Sequence, residues 1–337
     1  MIKPQGARAA LLLPLLPLTL FLLSFTLGRY PIPLPTVLKI LAAKFFPLTP
    51  HWPDTMETVL WNLRLPRALG AMMVGAALSS SGCAFQGLFR NPLVSPYVLG
   101  VAAGSGFGAC LAILFTETRW IVQLSATLFG MVAVLGATGL SGIYRKASTL
   151  VLVLGGIIVG SFFSALISLL KFQADPYEKL PAMVFWLMGS LARVSLTNLL
   201  AVAPMMAVGL GVLLALRWRL NLLAFGEQEA QALGAEVVRE RWLVILACTL
   251  LTSSAVCLAG VIGWVGLVIP HIGRLLVGPD IRRLLPASIS LGSFYLLLVD
   301  TLSRTLSASE IPLGILTALI GAPFFAWLLS RNRVAWR

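Results

Sequence analysis

Few side chains in this chain could do covalent or metal chemistry, and those few are scattered. The two histidines, His51 and His271, lie far apart, and no H-E-x-x-H pair occurs. A zinc site of that kind needs two imidazoles one helical turn apart with a carboxylate between them. The four cysteines, Cys83, Cys110, Cys248 and Cys257, lie in apolar segments without C-x-x-C spacing and read as inert buried thiols. No G-x-x-x-x-G-K-[ST] occurs, so the chain has no phosphate-cradling loop of its own. Asp300 and Glu310 fall towards segment ends, and no carboxylate sits near the middle of an apolar run. Proton- or sodium-coupled carriers usually need such intramembrane groups. These residues make no catalytic set and no metal site. They also count against the rival reading, an ATP-independent carrier or channel.

What remains is arginine and small residues at particular places. Between residues 64 and 108 the chain carries Arg64 and Arg67, then a helix-like run rich in Gly, Ala and Ser, then Arg90-Asn91-Pro92 and a second small-residue run. Small side chains let helix backbones approach closely in lipid, where packing replaces the hydrophobic effect as the source of association. Residues 217–242 form the longest interior hydrophilic segment. Within it, EQEAQAL lies between Gly226 and Gly234, with Ala230 and Leu233 three apart on one side. A short helix bounded by glycines at a membrane surface can be pushed as a rigid body, or it can be an ordinary solvated loop.

The elements that position these residues follow from composition. The chain has 337 residues, 58% of them hydrophobic and 11% charged, with a mean hydropathy of +0.94. A soluble domain carries roughly 25% charged residues, so this one cannot clothe a water-facing surface. The fold class is all-α and polytopic. At about 20 residues per span, about ten transmembrane helices fit. Apolar segments fall near 11–27, 68–88, 96–115, 121–143, 149–170, 198–216, 243–261, 263–276, 285–303 and 312–329. No linker divides them, so residues 1–337 read as one transmembrane domain. The apolar run after Lys3 and Arg8 is longer than a signal core and lacks an A-x-A site, so it reads as a retained first helix.

The net charge of +13 is spread over short loops and is not gathered on one module, so it reflects membrane topology and gives no sign of nucleic-acid binding. With the amino and carboxyl termini in the cytoplasm, the inner loops hold the larger share of the 25 Lys and Arg residues. The first outer loop goes against this bias with Arg29, Lys39, Lys44, Arg64 and Arg67. On charge alone these arginines would snorkel to lipid headgroups.

The motifs narrow the reading. They are R-L-P-R at 64–67, G-A-A-L at 75–78, Gly82 with Gln86, N-P-L at 91–93 and P-Y-V-L-G-V at 96–101. Downstream come W-L-M-G-S-L at 186–191, L-A-F-G-E at 223–227, G-W-V-G-L-V-I-P-H-I-G-R at 263–274, L-L-P at 284–286, D-T-L-S-R at 300–304 and I-P-L-G-I-L-T-A-L-I-G-A-P-F-F at 311–325. In order and together, they resemble the FecCD-type, BtuC-like permease subunits of type II ABC importers for iron-siderophore, haem, cobalamin or related metal species. The resemblance implies a permease that translocates its cargo by alternating access. It implies no enzyme and no cofactor in this chain, with ATP and Mg bound by a partner ATPase. The implied partners are a second permease subunit, expected as a homodimer, two ATPase subunits and a periplasmic or lipid-anchored binding protein, all at a bacterial or archaeal inner membrane.

The same resemblance implies site residues. Arg64, Arg67 and Arg304 would dock the binding protein. Glu227, Glu229, Ala230, Leu233 and Gly234 would form the coupling helix in a cleft of the ATPase. The fifth span and the short outer helix near Phe185 to Leu191 would wall the path, with Ser148, Thr149, Gly155, Gly156, Gly160 and Ser164 along it. The small-residue face of that span is compatible with tight packing or with a wide lumen. Ferric siderophore is the first cargo expected, followed by haem, cobalamin and molybdate or tungstate.

Overall fold

The structure, a computed structural model, describes residues 12–47, 49, 51–142, 149–307 and 309–331. These residues form helices joined by short turns, with no strand among them. In chain order the helices are α1 (Leu15–Ser24), α2 (Leu34–Ala43), α3 (Asp54–Leu88), α4 (Val101–Phe115), α5 (Arg119–Gly142), α6 (Thr149–Gln173) and α7 (Lys179–Met188). Then follow α8 (Leu196–Phe225), α9 (Glu227–Ala232), α10 (Val237–Ala259), α11 (Val265–Val277), α12 (Ile281–Leu306) and α13 (Leu313–Arg331).

Six stretches, in α3, α5, α6, α8, α10 and α12, are long and apolar enough to cross a membrane, and shorter apolar helices accompany them. The segment pattern of the sequence appears with three differences. α3 begins at Asp54, well before the apolar run at Ala68, and passes through a π-helical turn at Val59–Arg64. α2 occupies a stretch between the first two apolar segments, 11–27 and 68–88; Pro33 is its N-cap and Pro35 stands in its first turn, where a missing N–H costs nothing. Leu15–Ser24 is a 10-residue helix, shorter than the span expected there.

α3 is the axis of the bundle. It packs against α12, α10, α11 and α8, and 83% of its apolar window is buried. Small residues make this possible. A Cβ on Gly75 would lie 2.1 Å from the Gly292 carbonyl oxygen of α12, and one on Gly82 would lie 1.8 Å from the Gly266 oxygen of α11. Ser79 adds a hydrogen bond across the same seam, donating to the Ser288 carbonyl at 2.7 Å. The outer helices contrast sharply. α6 buries only 22% of its apolar window and leaves Leu154, Ile157, Ile158 and Phe162 uncovered.

Candidate functional site

At one end of the bundle, α3 and α12 bring Arg64, Arg67 and Arg304 together around Asp300. Asp300 is 1% exposed and accepts from Nε of Arg67 at 2.9 and 3.0 Å. Arg67 also donates Nη1 to Glu310 at 2.8 Å. Arg304 sits one turn after Asp300 on α12, with Nε 3.7 Å from its carboxylate. It donates to the Leu27 carbonyl at 2.8 Å and the Ser24 carbonyl at 2.7 Å. Arg64 is buried and donates to the carbonyls of Phe25 and Tyr30. The turn after α1 closes over both guanidinium groups at Gly28, whose φ of +144° is easily reached only by glycine.

The three arginines therefore come together at one end of the bundle. They are not free side chains reaching into solvent, as docking had suggested. Each already bonds within the chain, tying the α1–α2 turn and the Ile311 loop to α3 and α12. Asp300 and Glu310, the acceptors at the centre, were not singled out as site residues. The i, i+4 spacing of Asp300 and Arg304 was the available signal.

At another place on the bundle, α9 forms the glycine-bounded helix that the sequence suggested. Gly226 has φ +139° and Gly234 has φ +80°. The Glu229 carboxylate folds over Gly226, so a Cβ there would lie 2.2 Å from it. Glu227 pairs with Arg241, and Arg219 donates to the Gly234 carbonyl at 3.3 Å. Glu227, Glu229 and Leu233 face outward, Leu233 with 61% exposure. Ala230 lies on the opposite, inward side of α9. It is 0% exposed and seats α9 on its own chain.

The residues expected along the path separate similarly. Gly155 and Gly156 pack inward, where added Cβ atoms would meet Ala137 O at 2.6 Å and Val98 O at 2.1 Å. Gly160 is half-buried beside Gly100. Gly155 and Gly156 are packing positions, whereas Gly160 keeps part of its surface open. Ser164 is exposed, its hydroxyl donating to the Gly160 carbonyl at 2.8 Å. Thr149 is the first residue of α6, and Ser148 lies outside the described residues. Among the described residues no three His, Cys, Asp or Glu side chains come together as metal ligands. His271 stacks edge-on with Phe325 at 5.7 Å.

The sequence pattern of the FecCD transport family matches residues 15–331. The chain belongs to that family. A curated relative, the molybdate import system permease protein MolB of Haemophilus influenzae, is 44% identical over 92% of this chain and 91% of its own. A protein of Helicobacter pylori named as a permease of an iron chelatin transport system is 39% identical over 83% of this chain and 85% of its own. A solved inward-facing transporter of the metal-chelate ABC type superposes with a TM-score of 0.86 at 42% identity, covering 96% of this chain and 99% of the other. This FecCD chain is thus a multi-pass membrane permease of an ABC transporter. It is not an enzyme, and ATP hydrolysis belongs to a separate subunit.

Proposed function

We propose that this chain is one half of a permease homodimer that imports a molybdate- or tungstate-type oxyanion by alternating access. The observation that supports the cargo is the 44% identity to a molybdate permease, which moves the oxyanion ahead of the ferric siderophore first expected. Haem, cobalamin and ferric siderophores remain in the test. A separate ATPase drives the cycle by pushing α9, whose exposed Leu233 and Glu229 form the contact while buried Ala230 transmits the motion to the bundle. The termini and α9 face the cytoplasm, and the arginine cluster faces the opposite compartment. There Arg67 receives a glutamate of a binding protein by exchanging the part-exposed Glu310 for a partner carboxylate, and Arg304, held on Asp300 beside it, adds its charge to the docking face. Exposed ion pairs of that kind give about 1 kcal/mol or less, enough to steer and set register. Two copies meet through the uncovered face of α6, where Ser164 and Ser168 offer hydroxyls to the path.

The test is uptake into lipid vesicles holding this chain with its co-encoded ATPase and binding protein. The panel is molybdate, tungstate, a ferric siderophore, haem and cobalamin. ATP- and binding-protein-dependent uptake of the oxyanions is the expected result. Uptake of a chelate alone would replace the cargo, and uptake of none would remove the importer reading.

A further inference from the structure

A cavity of about 180 Å³ opens where the end of α3, the end of α8 and the α11–α12 turn converge. Its walls include Cys83, Gln86, Arg90, Asn91 and Arg274, and no carboxylate contributes to them. Gln86 and Arg274 form a fixed pair. Gln86 donates to the carbonyls of Val94 and Gly266, both at 3.3 Å, which aims its own oxygen at Nη2 of Arg274. The other terminal nitrogen of Arg274, Nη1, is buried without any hydrogen-bond partner among the described residues. Arg90 enters from the rim on a backbone held at φ +50°, a conformation that costs energy for a residue with a side chain. The Glu229 carboxylate folds over Gly226 close to Arg90 but stays outside the cavity wall.

Nη2 of Arg274 already has the Gln86 oxygen, but Nη1 is a charged donor whose burial is costly until an acceptor meets it. Two guanidinium groups facing one small cavity repel each other unless an anion lies between them. We propose that this cavity binds a phosphate-type tetrahedral oxyanion. Nη1 of Arg274 and the Arg90 guanidinium hold its oxygens by charge-assisted hydrogen bonds, and the Asn91 amide contributes from the rim. Such a group can be a free ion or the headgroup of an anionic phospholipid. The cavity adjoins Gly226, so its occupant sits at the base of α9. The inference needs neither the coupling role of α9 nor the identity of the cargo.

The experiment is equilibrium binding of radiolabelled inorganic phosphate to the full chain purified in detergent without its ATPase, before and after exhaustive delipidation. Native mass spectrometry follows the retained phospholipid. One saturable phosphate site per chain, weakened about tenfold or more by Arg90→Gln and by Arg274→Gln, is expected for the loss of one charge-assisted contact. Arg90 is exposed, so its variant decides the outcome even if Arg274→Gln fails to fold; Arg193→Gln, an exposed position before the far end of α8 from the cavity, leaves binding unchanged. If phosphate binds only after delipidation, and an anionic lipid is retained by the wild type and lost from Arg90→Gln, the occupant is a headgroup. No saturable phosphate and no retained anionic lipid overturns the inference. Binding indifferent to Arg90 does the same.

Discussion

Removing Asp300 probes the arginine cluster most sharply. Asp300 is 1% exposed and answers Arg67 through both carboxylate oxygens, with Arg304 close by. Asp300→Ala leaves Arg67, only 12% exposed, with Glu310 as its one carboxylate. Arg304 keeps its bonds to two carbonyls, and Arg64 keeps its own, so three positive charges remain within one turn region. Breaking a buried pair by deleting one partner costs about 3–5 kcal/mol. Glu310 is 32% exposed and offsets part of this, so the lower end, about 3 kcal/mol, is expected. The assay is unfolding of the purified chain in mixed micelles along a denaturing-detergent gradient, run as a double-mutant cycle. Arg67→Met alone destabilises less, because the Asp300 carboxylate still has Arg304. The double variant Arg67→Met with Asp300→Ala costs less than the two single variants added together, with a coupling of at least about 1.5 kcal/mol. Independent, additive effects, or a cost below about 1 kcal/mol for Asp300→Ala, would refute the reasoning that this is a buried network pinning two loops.

Three further outcomes follow from single contacts. Gly82→Val drives a side chain into the Gly266 backbone across the α3–α11 seam and should abolish monodisperse protein on size-exclusion chromatography, whereas Gly211→Ala, with open space around it, should not. Leu233→Asp, on an exposed position, should leave the chain folded but lose co-purification of the ATPase, while Ala230→Leu should disturb the seat of α9 and lower thermal stability. Asp280 caps α12 by accepting from the Arg282 N–H at 3.0 Å, and hydrogen bonds from Arg282 and Asn221 hold its carboxyl down to about 2. Its stabilisation is complete above the unfolded carboxylate value and lost only as pH falls through about 2. Asp280→Ala should therefore cost about 1 kcal/mol, evenly across pH 5–8, in the same detergent-unfolding assay.

Much of this was legible in the sequence because lipid imposes strict terms. The low charge content and runs of apolar residues declare the class, and glycines at Gly75 and Gly82 announce close helix crossing. Gly226 and Gly234 bracket α9 for the same reason that their positive φ angles require glycine. What could not be read was the direction in which each side chain points. Gly155 and Gly156 look the same in sequence whether they line a lumen or admit a neighbouring backbone, and the structure shows the second. Ala230 and Leu233 share one side of an ideal helix, yet one is buried and the other exposed because α9 ends between them. The arginines were recognisable as out of place, but apart from the i, i+4 pair of Asp300 and Arg304 their partners arrive from Ser24 to Tyr30 and from Asp300 to Glu310, separations that no local pattern records. α2 and the early start of α3 were hidden by prolines at positions that helices tolerate.

This permease should move its cargo only when a separate ATPase drives it. The direct measurement is molybdate uptake into vesicles containing the chain, its binding protein and either the intact co-encoded ATPase or that ATPase with its P-loop lysine replaced. Uptake that requires ATP and vanishes with the lysine variant is the predicted result. Uptake persisting at the same rate with the inactive ATPase would contradict the account and return the chain to the class of self-sufficient carriers.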